Sequence, residues 1–277
     1  MLKEMLDRVR NTAPLIHNIT NYVTVNDCAN ILLACGGSPI MADDPAEAEE
    51  IQSIYRGLNI NIGTLNAATI PAMLKAGQCA NALGHPVILD PVGAGASRLR
   101  TETARQLIEQ VRFTAIRGNI SEIRTLAGLS GGTQGVDAAA ADAVTEETLD
   151  SVIAAAAALS AATGAVIAIT GRIDIVADAE RAFLIRNGRP EMGKITGTGC
   201  MLSAMTAAYL AANPQDPLTA TAAAVCAMGV CGEIAFSRLQ EGEGNASYRT
   251  RILDAVCNLD GDTLEQYADY ELRTVKK

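Results

Sequence analysis

Short, continuously apolar runs alternate along the chain with longer segments of helical spacing. Residues 15–19, 57–62, 86–89 and 165–170 form such runs, and amphipathic or alanine-rich stretches lie between them. Continuous apolar runs are typical of strands that are buried on both faces, and their alternation with helices favours a parallel sheet. We therefore predict one α/β domain over residues 1–277, with three αβα layers built around a mostly parallel central sheet.

Other elements follow from the same pattern. Residues 45–55 are predicted to form a helix, and residues 174–176 and 182–185 to form a β-hairpin. From residue 198 onward the chain is predicted to be mostly helical. The glycine- and alanine-rich stretch 130–143 is predicted to be either a lid or an ordinary surface loop.

In an open α/β sheet, ligands bind beyond the carboxyl ends of the strands, so residues directly after each strand carry most weight. The net charge of -9 disfavours nucleic acid as a partner, because a phosphate backbone is itself negative. The same charge means that a phosphate site here has to be local, built from backbone N–H groups, a metal and a few basic side chains.

The cysteines, the N-terminal segment and the alanine-rich stretches indicate in which compartment of the cell the protein resides. Seven cysteines are present without a Cys-x-x-Cys pair, and most lie in apolar stretches, which favours free thiols in a reducing cytoplasm over a disulfide framework. Residues 1–10 predict a charged amphipathic helix that lacks the apolar core of a signal peptide. Alanine-rich stretches are too short to span a bilayer, so we expect a cytoplasmic protein without membrane contact.

A glycine-rich turn at Gly197-Thr198-Gly199 precedes Cys200 and an apolar helix. Glycines at a helix start let backbone N–H groups approach an anion, and the helix dipole favours negative charge there. A thiol in the first turn can have a lowered pKa, so Cys200 can accept a proton from an attacking hydroxyl. The alternative is an ordinary glycine-rich turn that leads into a core helix with a buried cysteine.

Four other strand ends carry candidate chemistry. Asp90 can hold Mg²⁺ or position phosphates, or it can simply end a strand in an Asp-Pro-Gly turn. Asn119 and Glu122, which follow Arg117, lie on one helical face and suit hydrated Mg²⁺, or they form a capping box. Thr170 can reach a nucleotide phosphate, or it belongs to a Thr-Gly turn.

Several common nucleotide and hydrolase motifs are absent from the sequence. It contains no Gly-x-x-x-x-Gly-Lys-[Ser/Thr] stretch, no Gly-x-Gly-x-x-Gly after the first strand, and no Gly-x-Ser-x-Gly elbow. These absences exclude a P-loop NTPase and argue against an NAD-binding domain or an α/β-hydrolase.

Taken together and in order, the motifs have a specific resemblance that runs over nearly the whole chain. The matching stretches are residues 14–21, 37–42, 61–65, 86–96, 116–119, 135–137, 166–171 and 196–200. In this combination the chain resembles the hydroxyethylthiazole kinase family of the ribokinase-like superfamily. The resemblance implies a ribokinase-like fold and the ATP- and Mg²⁺-dependent phosphorylation of 4-methyl-5-(2-hydroxyethyl)thiazole. It also implies a homotrimer with active sites between subunits.

The resemblance also implies roles for individual residues. On the substrate side, Met41 packs against the thiazole, Asn21 lies near it, and Gly197 contacts it through the backbone. On the nucleotide side the implied ATP-binding residues are Arg117, Thr170 and Asn119, and those that organise Mg²⁺ are Asp90 and Glu122. The turn Gly197, Thr198, Gly199 and Cys200 is the implied catalytic centre.

Cys200 stands where the wider superfamily usually has an aspartate base. Because phosphoryl transfer has a loose transition state, early deprotonation of the alcohol is not required, and we expect Cys200 to assist without being indispensable. One stretch departs from the family pattern: residues 242–248 replace a Gly-Pro-Gly-Ser-Phe-like sequence, which puts the local loop geometry in question.

Two other functions fit the sequence. A related kinase of the same fold can act on another small alcohol, such as the hydroxymethylpyrimidine of the same pathway, although Met41 and Cys200 favour the thiazole. A sensor that binds nucleotide or thiazole without catalysis is an alternative of a different class. A sensor, however, has no need for Asp90, Glu122 and Arg117 together with the glycine turn.

Overall fold

The central feature of the computed structural model, which describes residues 1–48, 50–128 and 144–275, is a nine-stranded sheet. Its order is β2-β1-β3-β4-β5-β6-β7-β8-β9; the first six strands are parallel, and β7, β8 and β9 are added antiparallel. The strands are β1 (Leu15–Ile19), β2 (Ser38–Met41), β3 (Gly57–Asn61), β4 (Val87–Asp90), β5 (Ala115–Asn119), β6 (Val166–Thr170), β7 (Asp174–Ala177), β8 (Arg181–Ile185) and β9 (Tyr270–Thr274).

Helices cover both faces of this sheet. They are α1 (Leu2–Thr12), α2 (Val25–Cys35), α3 (Thr69–Leu83), α4 (Arg98–Gln110), α5 (Ile120–Leu126), α6 (Leu149–Thr163), α7 (Thr198–Ala212), α8 (Pro217–Ser237), α9 (Asn245–Asn258) and α10 (Gly261–Tyr267). One hydrophobic core lies between the sheet and α1, α2, α7, α8 and α9, and the other between the sheet and α3 to α6. The predicted mostly parallel sheet between two helical layers is therefore confirmed.

Alternate residues of the inner strands enter opposite cores, which explains the continuous apolar runs. Ile88 on β4 packs into the core under α7, whereas its neighbours Val87 and Leu89 pack into the core under α3 and α4. A strand buried on both faces needs apolar side chains at every position. The polar exceptions therefore stand out. Some lie inside β1 and β3, and two others, Asn61 and Asp90, are buried at the carboxyl ends of β3 and β4.

Helices α7 and α8 carry almost no polar face because they lie inside the molecule. Ten of the residues of α7 are buried, from Met201 to Leu210 without interruption. Helix α8 is long and apolar enough to cross a membrane by length and composition, but 89% of its most apolar window is buried inside the protein. An apolar helix that is covered on all sides is typical of a protein core.

One predicted element is wrong, and one strand is additional to the prediction. The predicted helix over residues 45–55 is a series of turns with a single turn of 3₁₀-helix at Ile51–Ser53, because the segment has few apolar side chains to bury beyond Ala48 and Tyr55. The region from residue 198 onward is mostly helical, as predicted, but it ends in strand β9, which extends the sheet beside β8 and which the sequence pattern did not indicate. The predicted lid or loop at 130–143 lies outside the described residues.

Candidate active site

The carboxyl ends of the parallel strands bring most of the predicted site residues into one row. Met41 pairs with Asn18 of β1 at the end of β2. Further along the sheet Asn61 pairs with Asp90, and Asn119 with Thr170. The neighbours Leu89 and Ile116 are paired as well, which sets Asp90 beside Arg117. The rule that strand ends face the ligand therefore selected side chains that are adjacent in space.

Asp90 is the most buried charged group in this row, with no solvent contact. Its Oδ2 accepts hydrogen bonds from Asn61 Nδ2 and Ser203 Oγ, both at 2.8 Å, and lies 3.7 Å from Arg117 Nη1. Its other oxygen, Oδ1, has no hydrogen-bond partner among the described residues. Burial raises the pKa of Asp90, and the charge of Arg117 and the two hydrogen bonds oppose that rise.

Arg117 joins Asp90 to the next strands and to α7. One guanidinium nitrogen donates to the hydroxyl of Thr170, and another forms the ion pair with Asp90. The guanidinium also lies against Gly199 in the first turn of α7, where any Cβ would overlap it. The glycine at 199 therefore leaves room for the guanidinium to lie against the start of this helix.

Gly197 shapes the start of α7. It is the N-cap residue and has φ +95°, in the left-handed region that favours glycine, and a Cβ here would lie 2.6 Å from Thr24 Cγ2. No side chain caps the helix within the described chain. The first N–H groups of an α-helix have no partner inside the helix, so this end presents free donors beside Arg117.

Cys200 lies in the same first turn and is held by two amides. Its sulfur accepts hydrogen bonds from Asn21 Nδ2 and Asn61 Nδ2, each at 3.3 Å. The expectation of a lowered thiol pKa is wrong: burial, followed by the charge of Asp90, raises the pKa of Cys200. Hydrogen bonds from Thr24 and Asn21 and the charge of Arg117 only partly offset this effect. Cys200 is therefore a thiol at neutral pH.

Asn119 and Glu122 form the capping box that the sequence left open as an alternative. Glu122 N donates to Asn119 Oδ1, and Asn119 N donates to Glu122 Oε2, both at 2.8 Å. Glu122 Oε1 accepts from Gly93 N, which ties α5 to the loop after β4. Burial and then the charge of Asp90 raise the pKa of Glu122 to about 7, against the opposing effect of the two backbone N–H donors. Each carboxylate oxygen keeps a second lone pair for a further ligand.

A cavity of about 710 Å³ opens beside Arg117 and extends between the β7–β8 hairpin and α8. Its lining includes Thr170, Thr198 and Gly199 of the predicted site, the carboxylate of Asp174, and apolar side chains from α8. Its cationic lining residues are Arg117, Arg172, Arg186 and Arg189. In a chain of net charge -9, this concentration of arginines makes the cavity locally favourable for an anion.

The remaining predicted residues lie outside this cavity. Met41 ends the edge strand β2 with 36% of its surface exposed, and the strand order places the ends of β1 and β3 between it and Asp90. The site therefore has two sides along the row of strand ends, one toward the cavity beside Arg117 and one toward Met41, with Asp90 between them.

Two residues of the site did not stand out in the sequence. Asn61 contacts Asn21, Asp90 and Cys200, and Ser203 bonds to Asp90. Asn61 ends an apolar strand just as Asp90 does, so the same strand-end rule could have selected it. Ser203 lies three residues after Cys200 inside an apolar helix. The spacing, which sets both residues on one helical face, is the only sequence signal that could have indicated it.

Comparison with known proteins places these features in a family. A sequence profile described as "Hydroxyethylthiazole kinase family" matches residues 6–262. The chain is 67% identical to a Clostridium acetobutylicum protein named hydroxyethylthiazole kinase, over 98% of this chain and 99% of that protein.

Solved structures agree with the sequence comparison. The hydroxyethylthiazole kinase structure from Pyrococcus horikoshii OT3 is 36% identical and covers 99% of both chains with a TM-score of 0.85. A ribokinase-like superfamily protein from Enterococcus faecalis, 15% identical, covers 96% of this chain and 95% of that one with a TM-score of 0.61, and it shares the fold alone. The predicted ribokinase-like fold is confirmed, and the chain belongs to the hydroxyethylthiazole kinase family.

Proposed function

We propose that this chain transfers the γ-phosphate of ATP to the hydroxyl group of 4-methyl-5-(2-hydroxyethyl)thiazole, as a step of thiamin biosynthesis or salvage. The observation that carries the proposal is the meeting of Asp90, Arg117 and the open start of α7 at the mouth of the arginine-lined cavity. Phosphoryl transfer needs positioned cations and N–H donors more than it needs covalent chemistry, and this point of the molecule supplies both.

The nucleotide occupies the arginine-lined cavity in this proposal. A volume of about 710 Å³ lies within the range of small-molecule pockets. Arg117 and Thr170, which are joined by a hydrogen bond, bind the ATP phosphates. The capping bond of Asn119 uses only its Oδ1, so its amide N–H₂ group can donate to the same phosphates. Arg186 and Arg189 are paired with Glu146 and Glu191, as Arg117 is with Asp90, so the carboxylates offset part of the positive charge of these three arginines.

The thiazole binds on the opposite side, toward Met41 and Asn21. Met41 offers a polarizable thioether beside the strand ends, which suits contact with an aromatic ring. The backbone just after Met41 is anchored, because the carbonyl of Ala42 lies 2.8 Å from His17 Nε2. Burial lowers the pKa of His17, so the ring is neutral and its Nε2–H donates to that carbonyl. Gly197 contacts the substrate through its backbone.

The chemistry is a direct displacement. The hydroxyl oxygen forms a bond to the γ-phosphorus while the bond from that phosphorus to the β–γ bridging oxygen breaks, and ADP leaves. Arg117 and the N–H groups of Thr198 and Gly199 neutralise the negative charge of the group in transit. The alcohol oxygen becomes acidic only as its bond to phosphorus forms, so its proton is lost late and passes to water. Because Cys200 rests as a thiol, it orients the hydroxyl and is not a strong base.

The residues near Asp90 fit a magnesium ion. Asp90 Oδ1 is a buried carboxylate oxygen without a hydrogen-bond partner in the part of the chain that is described, and carboxylate oxygens are preferred ligands of Mg²⁺. The residues described include no group of three or more His, Cys, Asp or Glu that could hold a metal by themselves. Asp90 and Glu122 would hold Mg²⁺ together with phosphates and water, and the ion would supply additional positive charge at the transferring group.

The proposed assembly is a homotrimer in the cytoplasm, with the thiazole side of each site completed by a neighbouring subunit. Tyr22, Val23 and Met41 are exposed apolar residues at or after the ends of β1 and β2, where such a neighbour would cover them.

Sedimentation equilibrium should therefore give a mass three times that of the chain. A monomeric mass with full kinase activity would contradict shared sites.

The activity itself is tested by ADP release. With ATP and Mg²⁺ present, the thiazole alcohol should stimulate ADP formation, and the phosphorylated thiazole should appear in equal amount. Hydroxymethylpyrimidine, offered under the same conditions, should be a poor acceptor. Preferential phosphorylation of the pyrimidine would favour the related kinase, whereas ATP binding without ADP release would favour the sensor.

Removal of the thiol tests the role given to Cys200. Cys200→Ala should lower kcat by about 10- to 100-fold, at or below the low end of what a proton-transfer residue contributes, and leave the KM for ATP near the wild-type value. Cys200→Ser, which keeps a hydrogen-bonding group of similar shape, should lose less. Steady-state ADP release distinguishes an assisting thiol from an essential base. If the alanine variant binds ATP and shows no turnover, Cys200 is an essential base.

A further inference from the structure

Asn61 lies where the two sides of the site meet. It is the last residue of β3, is 1% exposed, and makes four hydrogen bonds through its amide. Its Nδ2 donates to Asp90 Oδ2 at 2.8 Å and to Cys200 Sγ at 3.3 Å. Its Oδ1 accepts from Asn21 Nδ2 at 3.0 Å and from Gly63 N at 2.9 Å. Every hydrogen-bonding position of this amide is therefore used.

The orientation of the amide is fixed by chemistry. A backbone N–H can only donate, so the atom of Asn61 that faces Gly63 N has to be the oxygen. The same argument applies to Asn21, whose Oδ1 faces the backbone N–H of Thr24 at 3.1 Å. Both N–H₂ groups must then point toward Cys200. A flipped amide would place an oxygen against the Asp90 carboxylate.

We propose that Asn61 is a positioning residue that sets the Asp90 carboxylate and the Cys200 sulfur in one fixed relation, so that the acceptor hydroxyl meets the phosphoryl group in line. The inference rests on the proposed kinase function and deepens it. Asp90 and Arg117 belong to the phosphate side, and Asn21 and Cys200 to the acceptor side. Of the side chains named here, the Asn61 amide alone bonds to groups on both sides.

The two amide donors also restrict the direction in which the Cys200 thiol can donate its proton. Because Asn21 and Asn61 both donate to Sγ, the thiol proton cannot point toward either of them and is directed to another neighbour or to the acceptor. The bond from Asn61, together with that from Ser203, holds Asp90 Oδ2 and leaves Oδ1 as the free oxygen of the carboxylate. Loss of Asn61 releases both groups at once.

Asn59 provides a matched control. It lies two residues earlier on β3, so its side chain leaves the same face of the sheet, and it is fully buried. Its Nδ2 donates to Asn18 Oδ1 at 3.0 Å, and Asn18 in turn donates to the carbonyl of Ile16. Neither of these partners is a residue to which we assign a role in the reaction. Asn59→Ala therefore removes an equally buried amide from the same strand without touching the site.

The experiment compares Asn61→Ala, the isosteric Asn61→Asp and Asn59→Ala with the wild-type enzyme in ADP release. We expect Asn61→Ala to lose about 10- to 100-fold in kcat, as a misplaced reacting group does, and to keep a KM for ATP within about threefold of wild type. Asn61→Asp should lose at least as much despite its equal shape, since its second oxygen cannot donate to Asp90 or Cys200. Asn59→Ala should keep kcat within about threefold.

The outcomes are distinguishable. A wild-type chain that releases no ADP with the thiazole alcohol overturns the proposed function. An active wild type overturns the role of Asn61 if Asn61→Ala keeps its kcat, if it loses no more than Asn59→Ala does, or if Asn61→Asp restores activity by shape alone. Circular dichroism and thermal melting accompany each assay. If both Asn61 variants fail to fold while Asn59→Ala folds, the role of Asn61 is structural, and the proposal is equally overturned.

Discussion

The buried carboxylate of Asp90 is the constraint around which the site is built. A carboxylate without solvent contact costs several kcal/mol unless charges and hydrogen bonds compensate it. Its compensation comes from three different elements: Asn61 on β3, Arg117 on β5 and Ser203 on α7. The groups that compensate the Asp90 charge therefore hold the start of α7 against β3 and β5, the strands on either side of β4. The same interaction places the cation and the helix N-terminus that face the phosphoryl group in our proposal.

Two glycines make this arrangement possible. Gly197 adopts a left-handed conformation next to Thr24, and Gly199 leaves room for the guanidinium of Arg117 against the first turn of α7. Without them, a positive side chain and free backbone donors could not converge on one point. This convergence also explains how a chain of net charge -9 can receive a nucleotide. In our proposal, preorganised positive charge lowers the barrier to transfer, and Cys200 assists as a neutral thiol.

The sequence allowed the sheet to be predicted well, because strands buried on both faces leave long apolar runs. Strand ends also selected Asp90, Arg117 and Thr170, which the fold brings into contact. The failures have physical causes. Residues 45–55 have helical composition but too little apolar surface to bury, and β9 is a polar edge strand whose partner, β8, is distant in sequence. The pKa of Cys200 depends on burial and on Asp90, 110 positions away in the chain, so the local helix start gave the wrong direction.

The central claim, that the Asp90 charge organises the site, is tested most directly by the kinetics of Asp90→Asn. The substitution keeps the shape and an oxygen that can accept from Asn61 and Ser203, but it removes the counter-ion of Arg117. We predict a loss of about 100-fold or more in kcat, as for other preorganised charges in active sites, while the melting temperature stays within about 5 °C of wild type. A folded Asp90→Asn enzyme with kcat within about threefold of wild type would contradict the account.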